Sequence, residues 1–163
     1  MANDNKPRLD AERKWRYMIP VSHQFYIYGR KAAEEIMGPD AVDRFIRRFW
    51  ELTGEDTARM YVELGKLQPE DLAGLVKSIA RSSEIMGEDA EARAEGDRAY
   101  LLHHHCPWPE NYRRFDLPET CQGGCDTWFQ TIAARLSPRI RVKTTTAIPA
   151  GDDACVREFW IEE

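Results

Sequence analysis

The chain of 163 residues is long enough for one hydrophobic core, and its 42% hydrophobic and 31% charged residues are typical of a folded protein rather than a disordered one. A net charge of −5 at pH 7 gives no basic surface for a phosphate backbone, which argues against a nucleic-acid partner. No apolar run has the length of a membrane span, and the first residues lack the apolar core of a secretory signal. We therefore expect a soluble protein of the cytoplasm that does not bind a membrane.

The first half of the sequence has the apolar spacing of helices. Residues 22–37 form the first predicted helix, and Pro39 opens the second. A third helix is predicted for residues 55–65. Pro69 lies in the first turn of a fourth predicted helix, which Gly87 ends. Helices are thus expected to occupy most of the first half of the chain.

The second half changes from helical spacing to strand alternation. Two short strands are predicted around a turn at residues 95–97, and a hairpin rich in β-branched residues is predicted around residues 149–153. Between them lies a predicted helix with Pro118 in its opening turn. Gly123 and Gly124 each weaken a helix by about 1 kcal/mol relative to alanine. Either the helix starts after these glycines, or they let another group approach closely.

Together these elements predict an α+β fold in a single domain that spans residues 1–163. Residues 1–88 form an N-terminal helical layer. Residues 89–163 form a small antiparallel sheet of about four strands with one inserted helix, and this part carries the cysteines and most of the histidines. The helical layer and the sheet bury their apolar faces against each other, which favours one domain over two.

A cluster of imidazoles and thiols lies in residues 103–129, which hold three of the four histidines and three of the four cysteines. Alternate residues of a strand share a face, so His104 with Cys106 is one candidate pair and His103 with His105 is the other. Three adjacent side chains cannot all reach one site from a regular strand. The alternative without a function is a polar, partly exposed strand end.

Cys121 and Cys125 are four residues apart, which places both thiols on one side of a helix. The pair has the spacing to bind one metal, or to provide a nucleophile and a resolving thiol. A position in the first turn lowers the pKa of a thiol, and Asp126 adjoins the pair. Buried cysteines that serve as small hydrophobic residues are the structural alternative.

Metal binding is a further candidate role for the cysteines. A domain of this length does not need disulfides, so the four cysteines point to reduced thiols, catalysis or a metal. A structural zinc site needs a second pair of closely spaced ligands, which the sequence lacks. The ligands of an open catalytic site for zinc or another divalent metal can be scattered. The candidate ligands are Cys121, Cys125, Cys106 and His105. The sequence does not require any cofactor.

About the last sixty residues contain several short motifs. No single motif identifies a family, but their order along the chain does so more specifically. The motifs are Cys106-Pro107, Cys121-x3-Cys125-Asp126, Ser137-Pro138, the threonines Thr144 to Thr146, and Gly151-Asp152 followed by Cys155. In this order they resemble a family of small bacterial proteins related to L-2-amino-thiazoline-4-carboxylic acid hydrolase. The preceding helices match that family in general layout.

The resemblance implies hydrolytic opening of a small heterocycle, in which water adds to the amidine-like carbon of a thiazoline and a carbamoyl amino acid forms. This chemistry needs a nucleophile, a proton carrier and a group that holds the substrate carboxylate. The catalytic candidates are Cys125, His105, Asp126 and Cys106, and the substrate-binding candidates are Arg157, Gly123, Gly124 and His104. Arg157 departs from the apolar or acidic residue expected at its position.

The competing interpretation is a non-catalytic domain that binds a small molecule, or senses a metal or redox signal through the same cysteines. The aromatic residues also favour a pure interaction module, and a homo-oligomer is compatible with the sequence. An enzyme should keep a thiol of low pKa or an open metal position, whereas a structural cluster should be buried and unreactive.

Overall fold

The computed structural model describes residues 8–117 and 120–163. The helices are α1 (Ala11–Met37), α2 (Pro39–Glu63), α3 (Leu72–Ile85), α4 (Pro107–Arg114) and α5 (Thr120–Leu136). The strands are β1 (Asp89–Glu95), β2 (Arg98–His105), β3 (Ile140–Thr146) and β4 (Cys155–Ile161), with a short 3-10 helix at Ile148–Ala150 before the last strand.

The four strands form one sheet in the order β1-β2-β4-β3, and each neighbouring pair is antiparallel. Helices α3 and α5 pack on the sheet, α2 packs on α5, and α1 packs on α2. The predicted α+β class is therefore confirmed, with mostly N-terminal helices on a four-stranded antiparallel sheet and α5 inserted between its strand pairs. The assignment of one domain stays a prediction.

Alternation along the two central strands determines which side chains enter the interior. The inward residues are Ala99, Leu101 and His103 on β2, and Cys155, Arg157 and Phe159 on β4. Leu101 and Phe159 are completely buried, and each such side chain stabilises the fold by about 1.5–3 kcal/mol. At the other end of the same face, His103 pairs with Cys155 across the ladder. The inward face of the sheet thus changes from apolar to polar along its length.

Helix α1 is longer than the predicted helix of residues 22–37. It begins at Ala11 because Asp10 caps it: the Asp10 carboxylate accepts the Arg13 backbone N–H at 2.7 Å. Pro20 lies inside α1 without ending it. Neither α1 nor any other helix within the described ranges is long and apolar enough to cross a membrane.

The second and third predicted helices are one continuous helix, α2, so the prediction of a separate helix at residues 55–65 is wrong. Gly54 lies inside this helix and is buried against α5. A Cβ atom at Gly54 would lie 2.8 Å from Thr131 Cβ, so only glycine lets the two helices approach this closely.

Helix α4 is an element that the sequence pattern does not predict. It follows directly from β2, with Cys106 at its N-cap and Pro107 in its first turn. Proline fits this position because the N–H groups of a first helical turn have no partner within the helix. The chain therefore turns sharply after Cys106, which places α4 beside α1 and α5.

Helix α5 contains both Gly123 and Gly124, while Pro118 lies outside the described residues. A Cβ atom at Gly123 would meet nothing within 4 Å. A Cβ atom at Gly124 would lie 2.5 Å from Trp50 Nε1. The helix therefore does not start after the two glycines. Instead, Gly124 lets the Trp50 side chain approach the helix closely.

Candidate functional site

A cavity of about 340 Å³ lies between the polar end of the sheet and helices α2 to α5. Its volume is within the range of small-molecule sites. The lining residues are Trp50, Thr53, Ser82, Ser83, Met86, Glu88, His103, Cys106, Trp108, Pro109, Cys121, Gln122, Cys125, Trp128, Phe129, Pro149, Cys155 and Arg157. All four cysteines of the chain thus border one space.

One wall of the cavity is charged and is centred on His103, which is 4% exposed. The Nε2 atom of His103 lies 3.1 Å from a carboxylate oxygen of Glu88 and 2.9 Å from Ser83 Oγ. The Nδ1 atom lies 3.4 Å from an Nη atom of Arg157. Since a guanidinium only donates, Nδ1 accepts this hydrogen bond and Nε2 carries the proton. His103 therefore links the carboxylate to the guanidinium.

Glu88 is ionised in this setting. Its burial alone raises the pKa of the carboxyl group, but hydrogen bonds from His103 and Ser83 and the charge of Arg157 lower it, and the net pKa is below the ordinary value. A carboxylate can stay buried when its oxygens are hydrogen-bonded and a positive charge is near. Glu88 thus brings a negative charge to the cavity wall.

Arg157 brings the opposite charge and is 3% exposed. Its guanidinium lies 4.5 Å from the centroid of the Phe129 ring, within the range of a cation–π interaction. The Nε atom of Arg157 is buried and has no hydrogen-bond partner among the described residues. A buried donor without a partner is costly, so this atom is suited to an anionic group that enters the cavity.

Cys121 and Cys125 lie one turn apart on α5, and both line the cavity. The Cys121 thiol donates a hydrogen bond to Cys125, which lowers the pKa of Cys125 and raises that of Cys121. Burial raises the pKa of Cys125, but the charge of Arg157 adds to the lowering, and the net pKa is below the ordinary thiol value. Cys125 is therefore the thiol of the pair that ionises first.

The other two cysteines have different surroundings. Burial raises the pKa of Cys106 well above its ordinary value, and the charge of Glu88 adds to this effect. Burial also raises the pKa of Cys155, although its Sγ accepts the backbone N–H of Ile148 at 3.2 Å. Of the four thiols, all within the described residues, Cys125 alone has a lowered pKa.

The structure does not bring His104 and His105 to the cavity. Both are exposed, and His104 Nε2 lies 3.2 Å from a carboxylate oxygen of Glu91 on the neighbouring strand. Alternation along the strand does not determine which of the two faces of β2 points inward. In the structure, the inward face is the one that carries Leu101 and His103. His103 therefore lines the cavity, and His104 does not.

Asp126 and the two glycines also lie apart from the cavity lining. Asp126 accepts a hydrogen bond from Thr144 Oγ1 at 2.5 Å, so it contacts β3 rather than a histidine. Gly123 is exposed on α5, and Gly124 contacts Trp50. Among the predicted site residues, the structure thus brings together Cys106, Cys121, Cys125 and Arg157.

The predicted metal site does not fit this arrangement. Across the described ranges, no group of three or more His, Cys, Asp or Glu side chains is placed to hold a metal ion. His105, the imidazole of the predicted ligand set, is exposed at the end of β2.

The opposite wall of the cavity is aromatic, with Trp50 and Trp108 at its surface. Trp50 Nε1 donates a hydrogen bond to Tyr26 Oη at 3.0 Å. Trp108 stacks on His23, with ring centroids 3.8 Å apart. His23 is fully buried, its Nδ1 lies 2.7 Å from Asn111 Nδ2, and burial lowers its pKa to about 4. His23 is therefore neutral at physiological pH.

Two residues of the site, Glu88 and His103, were not candidates on their own from the sequence. Glu88 lies between α3 and β1, in a segment without a motif. His103 was one of three adjacent histidines, and only the direction of β2 distinguishes it. The signal available for His103 was its spacing of two from Leu101, an apolar residue suited to the core.

Several solved structures resemble this fold. A trafficking protein particle complex subunit 3 from Naegleria fowleri, covalently bound to palmitic acid, has a TM-score of 0.59 at 12% identity, over 88% of this chain and 97% of the other. The phenol-responsive sensory domain of the transcription activator PoxR, with phenol, has a TM-score of 0.61 at 10% identity, over 85% and 74%. At these identities the likeness concerns the fold alone.

The family to which the sequence belongs follows from a direct comparison. No curated protein sequence matches the chain. The family model described as L-2-amino-thiazoline-4-carboxylic acid hydrolase matches residues 18–159, which include every residue that lines the cavity. The chain therefore belongs to the L-2-amino-thiazoline-4-carboxylic acid hydrolase family.

Proposed function

We propose that the cavity is the active site of a cysteine-dependent hydrolase that opens a small cyclic amidine carrying an anionic group. The observation that carries this proposal is the setting of Cys125, which lines the cavity, accepts a hydrogen bond from Cys121 and faces the charge of Arg157. A thiolate is the reactive form of cysteine, and such surroundings favour it. Membership of the hydrolase family supports the reaction class.

In the first half of the proposed reaction, the Cys125 thiolate adds to the amidine-like carbon of the ring. The electron pair of the C=N bond moves to nitrogen, which takes up a proton. The ring C–S bond then breaks, and the departing sulfur takes up a second proton as a thiol. The amidine carbon is left bonded to Cys125 as a thiouronium group.

In the second half, water adds to the same carbon and the bond to Cys125 breaks. The product is a carbamoyl group, and the thiolate is regenerated. Water gives up two protons, which balance the two that were taken up during ring opening. Ionised Glu88 lines the cavity and is the group we assign to accept a proton from water, with His103 holding it in place. This replaces His105 and His104 as the proton-handling residues.

Arg157 is assigned to the anionic group of the substrate. Its unpartnered Nε and its position on the cavity wall support this role. The rest of the substrate would contact tryptophans and Phe129, so apolar substituents fit better than charged ones. A guanidinium in a largely apolar cavity gives strong, oriented binding of a carboxylate.

A second candidate function is binding of a small molecule without turnover. Three tryptophans on the cavity wall favour it, because such walls bind flat apolar ligands without chemistry. Two structures of similar fold are a protein covalently bound to palmitic acid and a phenol-responsive sensory domain. In this alternative, the thiols of the cavity would not react with the ligand.

The deciding experiment is an assay of 2-amino-thiazoline-4-carboxylate and substituted analogues, in which ring opening is followed as release of a new thiol. We expect Cys125→Ser to lower kcat by about 10³-fold or more, because the hydroxyl is not ionised at neutral pH. Cys155→Ser is the matched control, since it changes another buried thiol of the same cavity and should keep most of the activity.

Undiminished turnover by Cys125→Ser would contradict the proposed nucleophile. Calorimetric binding of apolar carboxylates, with no thiol release by the unmodified protein, would favour the non-catalytic alternative. The pH profile adds a second check. Because the pKa of Cys125 is lowered, activity should persist at pH values below the ordinary thiol pKa of about 8.5 and be lost only as the thiolate takes up a proton.

A further inference from the structure

Helix α1 buries only a narrow part of its surface. Of its 27 residues, the buried ones are His23, Ile27 and Arg30, which lie on the face toward the rest of the protein. An amphipathic helix normally exposes polar residues on the opposite side. Helix α1 does not follow this rule.

The opposite side of α1 is an apolar stripe. Its members are Met18, Val21, Phe25, Tyr28 and Ile36, all exposed, and we call them the α1 stripe. Phe25 is 76% exposed and Ile36 84% exposed. At 3.6 residues per turn, the centre of the stripe lies about 180° from the buried face. From Met18 to Tyr28 the spacing of three and four residues is that of a helix that packs along another helix, and Ile36 follows on the same side eight residues later.

We propose that the α1 stripe is covered by the α1 stripe of a second copy of the chain, in an antiparallel arrangement about a two-fold axis. A symmetric dimer of this kind needs a surface that is complementary to itself. With Phe25 of both copies at the centre, Val21 of one helix faces Gly29 of the other. Gly29 is exposed with nothing within 4 Å of its position, so the helices can approach closely there.

The charges at the two ends of the stripe select the antiparallel direction. Lys14 lies at the N-terminal end in line with the stripe, and Glu35 flanks it at the C-terminal end. Neither forms an ion pair with another described residue. An antiparallel pair places each Lys14 near Glu35 of the other copy, whereas a parallel pair would place like charges together.

The size of the exposed patch supports a protein partner. Isolated exposed apolar residues are ordinary, but contiguous apolar patches on a soluble protein mark an interaction surface. Four large exposed side chains between Met18 and Tyr28 form such a patch along one helix, and Ile36 extends the same side toward the end of α1. The dimer does not depend on the proposed reaction, because the residues of the stripe do not line the cavity.

The test is the mass of the full chain in solution by sedimentation. We expect twice the monomer mass of 18.9 kDa. Phe25→Lys should raise the dissociation constant at least about tenfold, because it removes the central contact. Leu64→Lys is the matched control: Leu64 is 78% exposed but lies at the end of α2, so the dimer should persist. Circular dichroism establishes that both variants are folded.

A charge exchange tests the direction of packing. Lys14→Glu and Glu35→Lys should each weaken the dimer, and the double variant should recover it, because the exchanged charges again attract. A monomeric unmodified chain, or a Phe25→Lys variant that still dimerises, would overturn the proposal. Failure of the double variant to recover would overturn the antiparallel arrangement. A monomer that binds anionic lipid vesicles through Phe25 would assign the stripe to a membrane surface instead.

Discussion

The two walls of the cavity stabilise a histidine in opposite ways. On the charged wall, His103 has a partner at both ring nitrogens: Glu88 and Ser83 at one, and Arg157 at the other. On the aromatic wall, His23 lies under Trp108 and its Nε2 has no partner among the described residues. One imidazole connects charges, and the other is kept neutral by burial.

The two walls therefore tolerate different substitutions. The charged wall depends on mutual pairing, so removing one member leaves the others buried without compensation. The aromatic wall depends on shape, because stacked rings contribute through contact area and geometry. Chemistry is therefore expected from the first wall and selection by shape from the second.

Substitutions in the charged wall should destabilise the protein most. Glu88→Gln removes the negative charge that faces His103 and Arg157, and it should lower the free energy of unfolding by about 3–5 kcal/mol. Denaturant unfolding measures this change. Glu91→Gln is the matched control, because Glu91 also contacts a histidine, His104, but on the exposed surface. It should change the free energy of unfolding much less than Glu88→Gln does, because solvent screens an exposed ion pair.

Similar losses for Glu88→Gln and Glu91→Gln would show that the charged wall does not depend on pairing. If the protein is an active enzyme, Glu88→Gln should lower kcat by a larger factor than it changes KM, because the proposed role of Glu88 is proton transfer rather than substrate binding.

The next effect is a loss of stability in acid that comes from the aromatic wall. The pKa of His23 is about 4 in the folded protein against 6.5 as its ordinary value, so the unfolded chain binds this proton more tightly. Stability is then complete above pH 6.5 and falls as pH drops toward 4. At pH 5 the loss should be about 2 kcal/mol.

Unfolding at a series of pH values tests the contribution of His23. His23→Phe keeps a flat ring against Trp108 and should flatten the curve between pH 6.5 and 4. His105→Phe is the matched control, because it makes the same change at an exposed histidine. An unchanged slope in His23→Phe would mean that other groups dominate in this range.

The smallest effect compares two adjacent glycines of α5. Gly124→Ala should cost about 1–2 kcal/mol, because the new methyl group would displace Trp50 from its contact with Tyr26. Gly123→Ala should instead stabilise the protein by up to about 1 kcal/mol, since its position is open and alanine favours a helix. Thermal unfolding shows whether each variant is more or less stable than the unmodified protein. Changes in stability of the same sign in both variants would contradict the close packing of Trp50.

Much of the fold could be predicted because it follows from local periodicity. The switch from helical spacing to alternation marked the start of the sheet, and the ordered motifs indicated the family. The continuity of α2 could not be predicted from apolar spacing, because it is accompanied by tertiary packing of Gly54 against α5. Helix α4 was missed because its eight residues include two prolines and few apolar positions.

The site was predictable only in part. Cys121 and Cys125 could be paired because helical spacing places both thiols on one side of a helix. Arg157 was a candidate because it departs from the apolar or acidic residue that the family resemblance implies at its position. Which of the three adjacent histidines points inward depends on the direction of β2 relative to the helices, which is a tertiary property. Glu88 gave no signal, because its role arises from neighbours that are distant in sequence, His103 and Arg157.

The placement of the tryptophans has a practical consequence for measurement. Three of the five tryptophans, Trp50, Trp108 and Trp128, line the cavity. Trp50 and Trp108 lie with their rings 5.9 Å apart, close enough for their excited states to interact. A ligand that enters the cavity would displace water from these indoles and change the intrinsic fluorescence of the protein. Occupancy can therefore be followed without a label, and in real time, for any compound that does not absorb in the same range.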